Sequence, residues 1–279
     1  MTTKTIAITG ATGQFGAIAL DLLKAKQANV IALVRSPEKI SGAAARQFDY
    51  SKTEGQVEAL QGILVSSSEV GQRIQQHKNV IEAAKKAGVK HIIYTSLLGA
   101  TNDNTVKSLA GEHVETESAL KASGITYTIL RNGWYTENYT ASIPAALANN
   151  AFYGSAKNGK ISSVLRAELA EAAVNVALSE GHENQTYELA GSTSWTLSDL
   201  AAEISKQTGR DIPYVDIPAA DYAAALVQAG LDEGFAGLIT QWDVDASNGA
   251  LFSEDKTLDK LLGRPTAGLD VAVKQALSH

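Results

Sequence analysis

Glycines at 10, 13 and 16 constrain this chain more than any other feature. They follow the apolar run Ile6-Ala7-Ile8-Thr9 and precede an amphipathic stretch at 17–24, with Ile18, Leu22 and Leu23 expected on one face. That order predicts a strand, a tight turn and a helix. Gly10 supplies the turn, Gly13 lets a pyrophosphate approach the backbone, and Gly16 lets the helix pack on the strand. The free N–H groups of the helix N-terminus then face the phosphates. A second apolar run, Val30-Ile31-Ala32-Leu33-Val34, follows at the distance a βαβ unit requires and ends in Arg35. An acid at that strand tip bonds the 2′-hydroxyl of NAD, whereas an arginine accommodates the 2′-phosphate of NADP. Arg35 therefore reads as an NADP selector, against the plainer alternative of a solvated arginine at a strand end.

Further along, β–α alternation continues. Strands are expected at 44–50, 63–65, 91–96 and 125–131, with helices at 75–87 and 106–122 and a short one at 56–61. Near-continuous apolar strands of this kind form a parallel sheet covered on both faces. The expected fold is α/β, a Rossmann-type doubly wound parallel sheet. The strand at 63–65 runs into Ser66-Ser67-Ser68, which lies beside the cofactor in this architecture or forms an ordinary turn. Beyond Arg131 the regularity loosens. Helices are expected at 142–149, 168–178, 197–208, 219–229, 257–262 and 269–277, and strands at 186–190 and 214–217. Thr196 with Asp199 reads as a capping box. Residues 1–131 are expected to form the dinucleotide-binding domain, with part of 155–180 packing back on it, and 132–279 a smaller α/β lobe on the substrate side. There are no internal repeats and no low-complexity linker.

Composition narrows the function. The chain of 279 residues is 44% hydrophobic, carries a net charge of −6 and has no cysteine. Thiolate catalysis, disulfides and Cys-ligated metals are excluded. The acidic balance argues against nucleic acid as the main partner. No apolar run approaches a membrane span, and the chain enters a strand almost at once, so a soluble cytoplasmic protein without a secretory leader is expected. The histidines at 77, 91, 113, 182 and 279 show no ligand spacing, so no metal site is expected. Gly-x-Ser-x-Gly, the hydrolase nucleophile motif, is absent.

Short-chain dehydrogenases of the usual type use a helix-borne Tyr-x-x-x-Lys for proton transfer. The only such spacing here, Tyr153 to Lys157, falls beside Gly154 and Gly159 in an expected loop and reads as coincidence. The expected helix carries His113 and Glu117 instead, four apart and on one face. His113 could donate a proton with Glu117 favouring its charged form, or the two form a plain surface pair. Tyr94 and Ser96 could bond substrate or nicotinamide, or simply end their strand. Trp134 and Tyr135 could wall in a flat ring, or be core.

Taken together, Thr9 to Gly16, the run from Ser66 to Arg73, Tyr94-Thr95-Ser96-Leu97-Leu98, Leu130-Arg131-Asn132-Gly133-Trp134-Tyr135, Tyr187 to Gly191 and Trp195-Thr196-Leu197 resemble the NmrA-like atypical short-chain dehydrogenase family. The likeness is nearest to its bacterial NADPH-dependent quinone reductases and more distant to the triphenylmethane reductases. It covers essentially the whole chain. The resemblance implies an NADPH site built from Gly10, Ala11, Thr12, Gly13, Gln14, Phe15, Arg35, Ser66, Ser67, Ser68, Gly133, Trp134, Tyr135, Thr136, Glu137, Asn138 and Arg166. It also implies hydride transfer to a quinone, an electrophile that asks chiefly for alignment with the nicotinamide. Another flat electrophilic aromatic, such as a triphenylmethane dye, is the nearest substitute. Some proteins of this fold regulate a partner without turnover, so a non-enzymatic NADP(H) sensor is the reading from another class. Between Arg35 and Ser66 the chain is several residues shorter than the proteins it resembles, which bears on the adenine side of the pocket.

Overall fold

The computed structural model describes residues 5–53, 57–58, 60–65 and 71–278. The chain begins with β1 (Ile6–Thr9), α1 (Gln14–Ala25), β2 (Val30–Val34), β3 (Ala44–Gln47) and β4 (Gly62–Val65). It continues through α2 (Arg73–Lys86), β5 (His91–Leu97), α3 (Lys107–Ala122) and β6 (Thr126–Asn132). Then come α4 (Glu137–Thr140), α5 (Ile143–Asn149), β7 (Phe152–Gly154), α6 (Arg166–Leu178), β8 (Gln185–Leu189) and α7 (Leu197–Thr208). The last elements are β9 (Tyr214–Asp216), α8 (Ala219–Gln228), α9 (Glu233–Ser247), α10 (Thr257–Leu262) and α11 (Leu269–Leu277).

Seven strands form one parallel sheet in the order β3-β2-β1-β4-β5-β6-β8. Ile8 stands opposite Ala32 on one side and Leu64 on the other. The winding reverses between β1 and β4, and in such a sheet a ligand lies outside the C-terminal strand ends at that point. The fold is the α/β doubly wound architecture the sequence predicts. The seventh strand, β8, comes from beyond residue 131, so the main sheet draws on both sides of that expected boundary. A second, two-stranded sheet pairs β7 with β9.

All four residues of β1 and all seven of β5 are buried, as a strand covered on both faces requires. One face packs Leu20 and Leu23 of α1 against Ala173 and Val176 of α6; the other packs Val80 and Ile81 of α2 with Leu120 of α3. Each of the Leu, Ile and Val side chains contributes roughly 1.5–3 kcal/mol when fully buried. A third cluster joins Trp134, Tyr139, Trp195, Leu200 and Val273 in the C-terminal part. The capping box at α7 is present: Thr196 Oγ1 accepts from Asp199 N at 3.2 Å, and Asp199 Oδ2 accepts from Thr196 N at 2.8 Å.

Several expectations need correction. The buried stripe of α1 is Phe15, Ala19, Leu20 and Leu23, while Ile18 and Leu22 flank it half-buried. The third strand ends at Gln47; Phe48 still donates to Val34 O at 2.8 Å, but the chain then turns. Val57, Glu58, Leu60 and Gln61 do not form the helix expected at 56–61, and the rest of that segment lies outside the described residues. Tyr153 lies in a short strand, β7, and not in a loop. Helix α9, unexpected from the sequence, runs for 15 residues. No helix among the described residues is long and apolar enough to cross a membrane.

Candidate functional site

Local backbone chemistry builds the first wall of the site. Gly10 has φ +62, a left-handed conformation that favours glycine, and its carbonyl accepts from Gly13 N at 2.8 Å. A Cβ at Gly16 would collide with the Gly10 carbonyl, so α1 can start this close to the turn only with glycine there. Gly13 is the extended N-cap of α1, and among the described residues no side chain caps that helix. Its first-turn amides are therefore available to an anion.

One continuous cavity of about 800 Å³ opens over this loop at the C-terminal ends of the strands. Gly10, Thr12, Gly13, Gln14 and Phe15 line it, as do Arg35, Gly133, Trp134, Tyr135, Asn138, Arg166 and His113. Arg35 is exposed at the tip of β2. Next to it, Phe48, Asp49, Tyr50 and Ser51 line the same end, a contribution the sequence reading missed. Tyr50 is held by its hydroxyl, which donates to Thr9 Oγ1 at 2.8 Å. Arg166, the first residue of α6, lies 4.4 Å from the centroid of the Tyr135 ring.

Ala11, Tyr94, Thr136 and Glu137 do not line the cavity. The Ala11 side chain packs into the core. Thr136 pairs its hydroxyl with Ser163 Oγ at 2.7 Å. Glu137 accepts from the Arg166 backbone N–H at 2.9 Å, so its carboxylate caps α6. Tyr94 is 1% exposed, with its hydroxyl turned to His113. Ser66, Ser67 and Ser68 lie outside the described residues.

Deeper in, the expected His113–Glu117 pair is not made. Glu117 accepts from Ser96 Oγ at 2.6 Å and, bidentately, from Arg131 Nε at 2.9 Å and Nη2 at 2.7 Å. Arg131 also reaches Glu188 Oε1 at 2.8 Å. Burial works to raise the Glu117 carboxyl, but the bonds from Arg131 and Ser96 outweigh it and hold it below the usual carboxylate range. His113 Nδ1 lies 2.7 Å from Tyr94 Oη and its Nε2 lies 3.3 Å from Arg73 Nη1. Burial first, then the neighbouring Arg73 charge, press the His113 pKa down to about 3. Burial raises the Tyr94 hydroxyl well above its ordinary value. His113 at neutral pH is an uncharged imidazole without a proton to spare.

Two features fit a dinucleotide. The uncapped glycine turn suits a pyrophosphate. The Asn132 carboxamide, 4% exposed and lining the cavity, makes no well-formed hydrogen bond with the described residues; its polar neighbour is the Tyr135 hydroxyl. A buried amide left so costs about 1–3 kcal/mol, which a ligand amide in the cavity would recover. Two aromatic rings, Trp134 and Trp242, close the far end. Trp242 comes from α9 and was not foreseen. No cluster of three or more His, Asp or Glu side chains among the described residues could hold a metal.

Comparison with known proteins agrees with this geometry. A family model described as NAD(P)H-binding matches residues 10–180. Quinone oxidoreductase 2 of Escherichia coli strain K12 is 52% identical over 279 residues, covering 96% of this chain and 97% of its own. The crystal structure of that NADPH-dependent enzyme from Escherichia coli complexed with NADPH superposes with a TM-score of 0.93 at 48% identity, over 98% of this chain and 99% of its own. Triphenylmethane reductase of Citrobacter sp., complexed with NADP(H), superposes with a TM-score of 0.92 at 34% identity, over 98% and 99% of the two chains. An NmrA-like family domain-containing oxidoreductase of Aspergillus flavus is 31% identical over 97% of this chain and 94% of its own.

Proposed function

Because this chain belongs to the NmrA-like NAD(P)H-binding family, we propose that it is an NADPH-dependent oxidoreductase that reduces quinones by direct hydride transfer. The observation that carries this reading is the continuity of the cavity, which runs from Arg35 after β2 past the Gly10–Gly13 turn after β1 to the aromatic wall at Trp134 after β6. Cofactor and flat substrate would share one space.

In this reading the Gly10 to Phe15 turn and the start of α1 hold the pyrophosphate. Arg35 holds the 2′-phosphate, as a guanidinium does with bidentate geometry. Arg166 is kept in place by Tyr135 and Glu137 and adds positive charge to the cavity lining beside Tyr135. Asn132 offers its carboxamide to the nicotinamide amide. The cofactor, when bound, supplies the hydride. Trp134 and Tyr135 exclude water and align the substrate ring, and alignment supplies most of what this reaction needs. His113 does not donate a proton. The oxygen of a reduced quinone leaves as a phenolate, which water can protonate, so an uncharged His113 fits the chemistry. We place the activity in the cytoplasm and assign the dinucleotide side to residues 1–131 with α6, and the substrate side to the remainder.

Steady loss of NADPH absorbance on adding a quinone to the purified protein tests the reading. Tight NADPH binding with no turnover for any quinone would instead mark a redox sensor.

A further inference from the structure

We propose that Trp242 determines substrate specificity, forming with Trp134 an aromatic corner that favours fused-ring quinones over single-ring ones. This rests on the quinone-reductase reading above. The two indole rings meet edge to face, with centroids 5.2 Å apart and planes at 68°. Both line the cavity, and Leu109 lines it beside them. Trp242 is not a loosely placed side chain. Its Nε1 donates to Ser108 Oγ at 3.2 Å, which fixes the indole orientation from α3. The neighbouring Asp243 is buried and accepts from Ser155 N at 2.8 Å, which pins α9 at this turn. Further along α9, Phe235 stacks edge-on against Trp242 at 6.2 Å and is 50% exposed, extending the aromatic surface towards solvent.

A corner of this kind presents a ring face on one side and a ring edge on the other. A single-ring quinone can fill one of these contacts. A fused two-ring quinone can use both, and each aromatic contact adds to what area burial alone supplies. The corner therefore discriminates by ring count, and the discriminating element is the indole delivered from α9. Residues of the glycine turn and Arg35 lie at the other end of the cavity, so the cofactor should be insensitive to this position.

The test compares kcat/KM for a 1,4-naphthoquinone with that for 1,4-benzoquinone, at saturating NADPH, in the parent and in Trp242→Ala and Trp242→Phe. Trp242→Ala should lower the naphthoquinone-to-benzoquinone ratio by about three- to tenfold, mostly through KM, and Trp242→Phe should restore most of it. NADPH affinity, titrated separately, should be the same in all three. A ratio unchanged in Trp242→Ala, or a parallel loss for both quinones, overturns the assignment while leaving the quinone-reductase reading in place. A parent protein that reduces neither quinone removes that reading, and this inference with it.

Discussion

Arg73 Nη1 stands 3.3 Å from His113 Nε2, and a guanidinium can only donate. Nε2 must therefore carry its lone pair, which puts the single ring proton on Nδ1, facing Tyr94 Oη at 2.7 Å. To protonate this imidazole would set a cation against Arg73 in a buried place. Burial first, and the Arg73 charge after it, lower its pKa from the ordinary 6.5 to about 3. Quinone reduction should accordingly show no His113 inflection in kcat/KM between about pH 5 and 8. An inflection near pH 6.5 that disappears in His113→Asn would contradict this tautomer and its role.

Arg35 is exposed and lines the end of the cavity away from Trp134 and Trp242. Arg35→Ala should reduce the preference for NADPH over NADH by about 1–3 kcal/mol, the scale of a charge-assisted bond to phosphate. Binding of both dinucleotides by calorimetry reads this directly. Equal discrimination in parent and variant would mean that another group, such as one in the Phe48 to Ser51 segment, selects the phosphate.

Gly13 is the N-cap of α1, with φ −83, a conformation open to any residue. A Cβ there would meet only the Gly10 carbonyl, at 3.3 Å. Gly13→Val should therefore fold but fill the space a pyrophosphate needs. Fluorescence titration should show dinucleotide binding lost, with circular dichroism unchanged. Undiminished affinity in a folded variant would sink the phosphate-turn assignment.

Asp243 offers a test of stability. Burial raises its carboxyl from the ordinary 3.8 to about 6, although the bond from Ser155 N and the neighbouring Tyr139 hydroxyl, which makes no well-formed hydrogen bond to it, pull the other way. A folded pKa above the unfolded one gives stability that is complete below pH 3.8 and is lost as pH rises through about 6. His113 has the opposite sign: its contribution is present above pH 6.5 and is lost as pH falls towards 3. Comparing variant with parent cancels the histidine. Asp243→Asn should gain about 2 kcal/mol relative to the parent between about pH 4 and pH 8, by urea unfolding. A difference independent of pH would show that the carboxyl titrates normally.

Much of the fold was legible because local signals agreed with each other. Fully buried parallel strands read as continuous apolar runs, Gly10 adopts a left-handed conformation that favours glycine, and Gly16 sits where a Cβ would collide with the Gly10 carbonyl. The site was less legible where long-range partners decided the outcome. Helical spacing put His113 and Glu117 on one face, but it could not reveal that Arg131, from β6, takes both Glu117 oxygens. Nor could it show Arg73 arriving from α2 beside His113. Helix α9 was obscured by Gly234 and Gly237, which read as breakers. Its one clear signal was Asp232, whose Oδ1 accepts from Phe235 N at 3.1 Å as an N-cap. Without that helix Trp242 had no assigned place, and the cavity wall lacked one of its two indoles. The resemblance implied Glu137 as a cofactor residue; what the sequence did not show is that its carboxylate accepts from the first amide of α6.

The most direct measurement is NADPH turnover with one quinone at saturating cofactor, for the parent and for His113→Ala, with NADPH affinity measured alongside. Direct hydride transfer without a protein acid requires steady NADPH consumption by the parent and a kcat in His113→Ala within about tenfold of it, well short of the roughly 10²–10⁴-fold lost with a general acid. A parent that binds NADPH without consuming it, or a collapse of kcat in His113→Ala with NADPH binding intact, would contradict it.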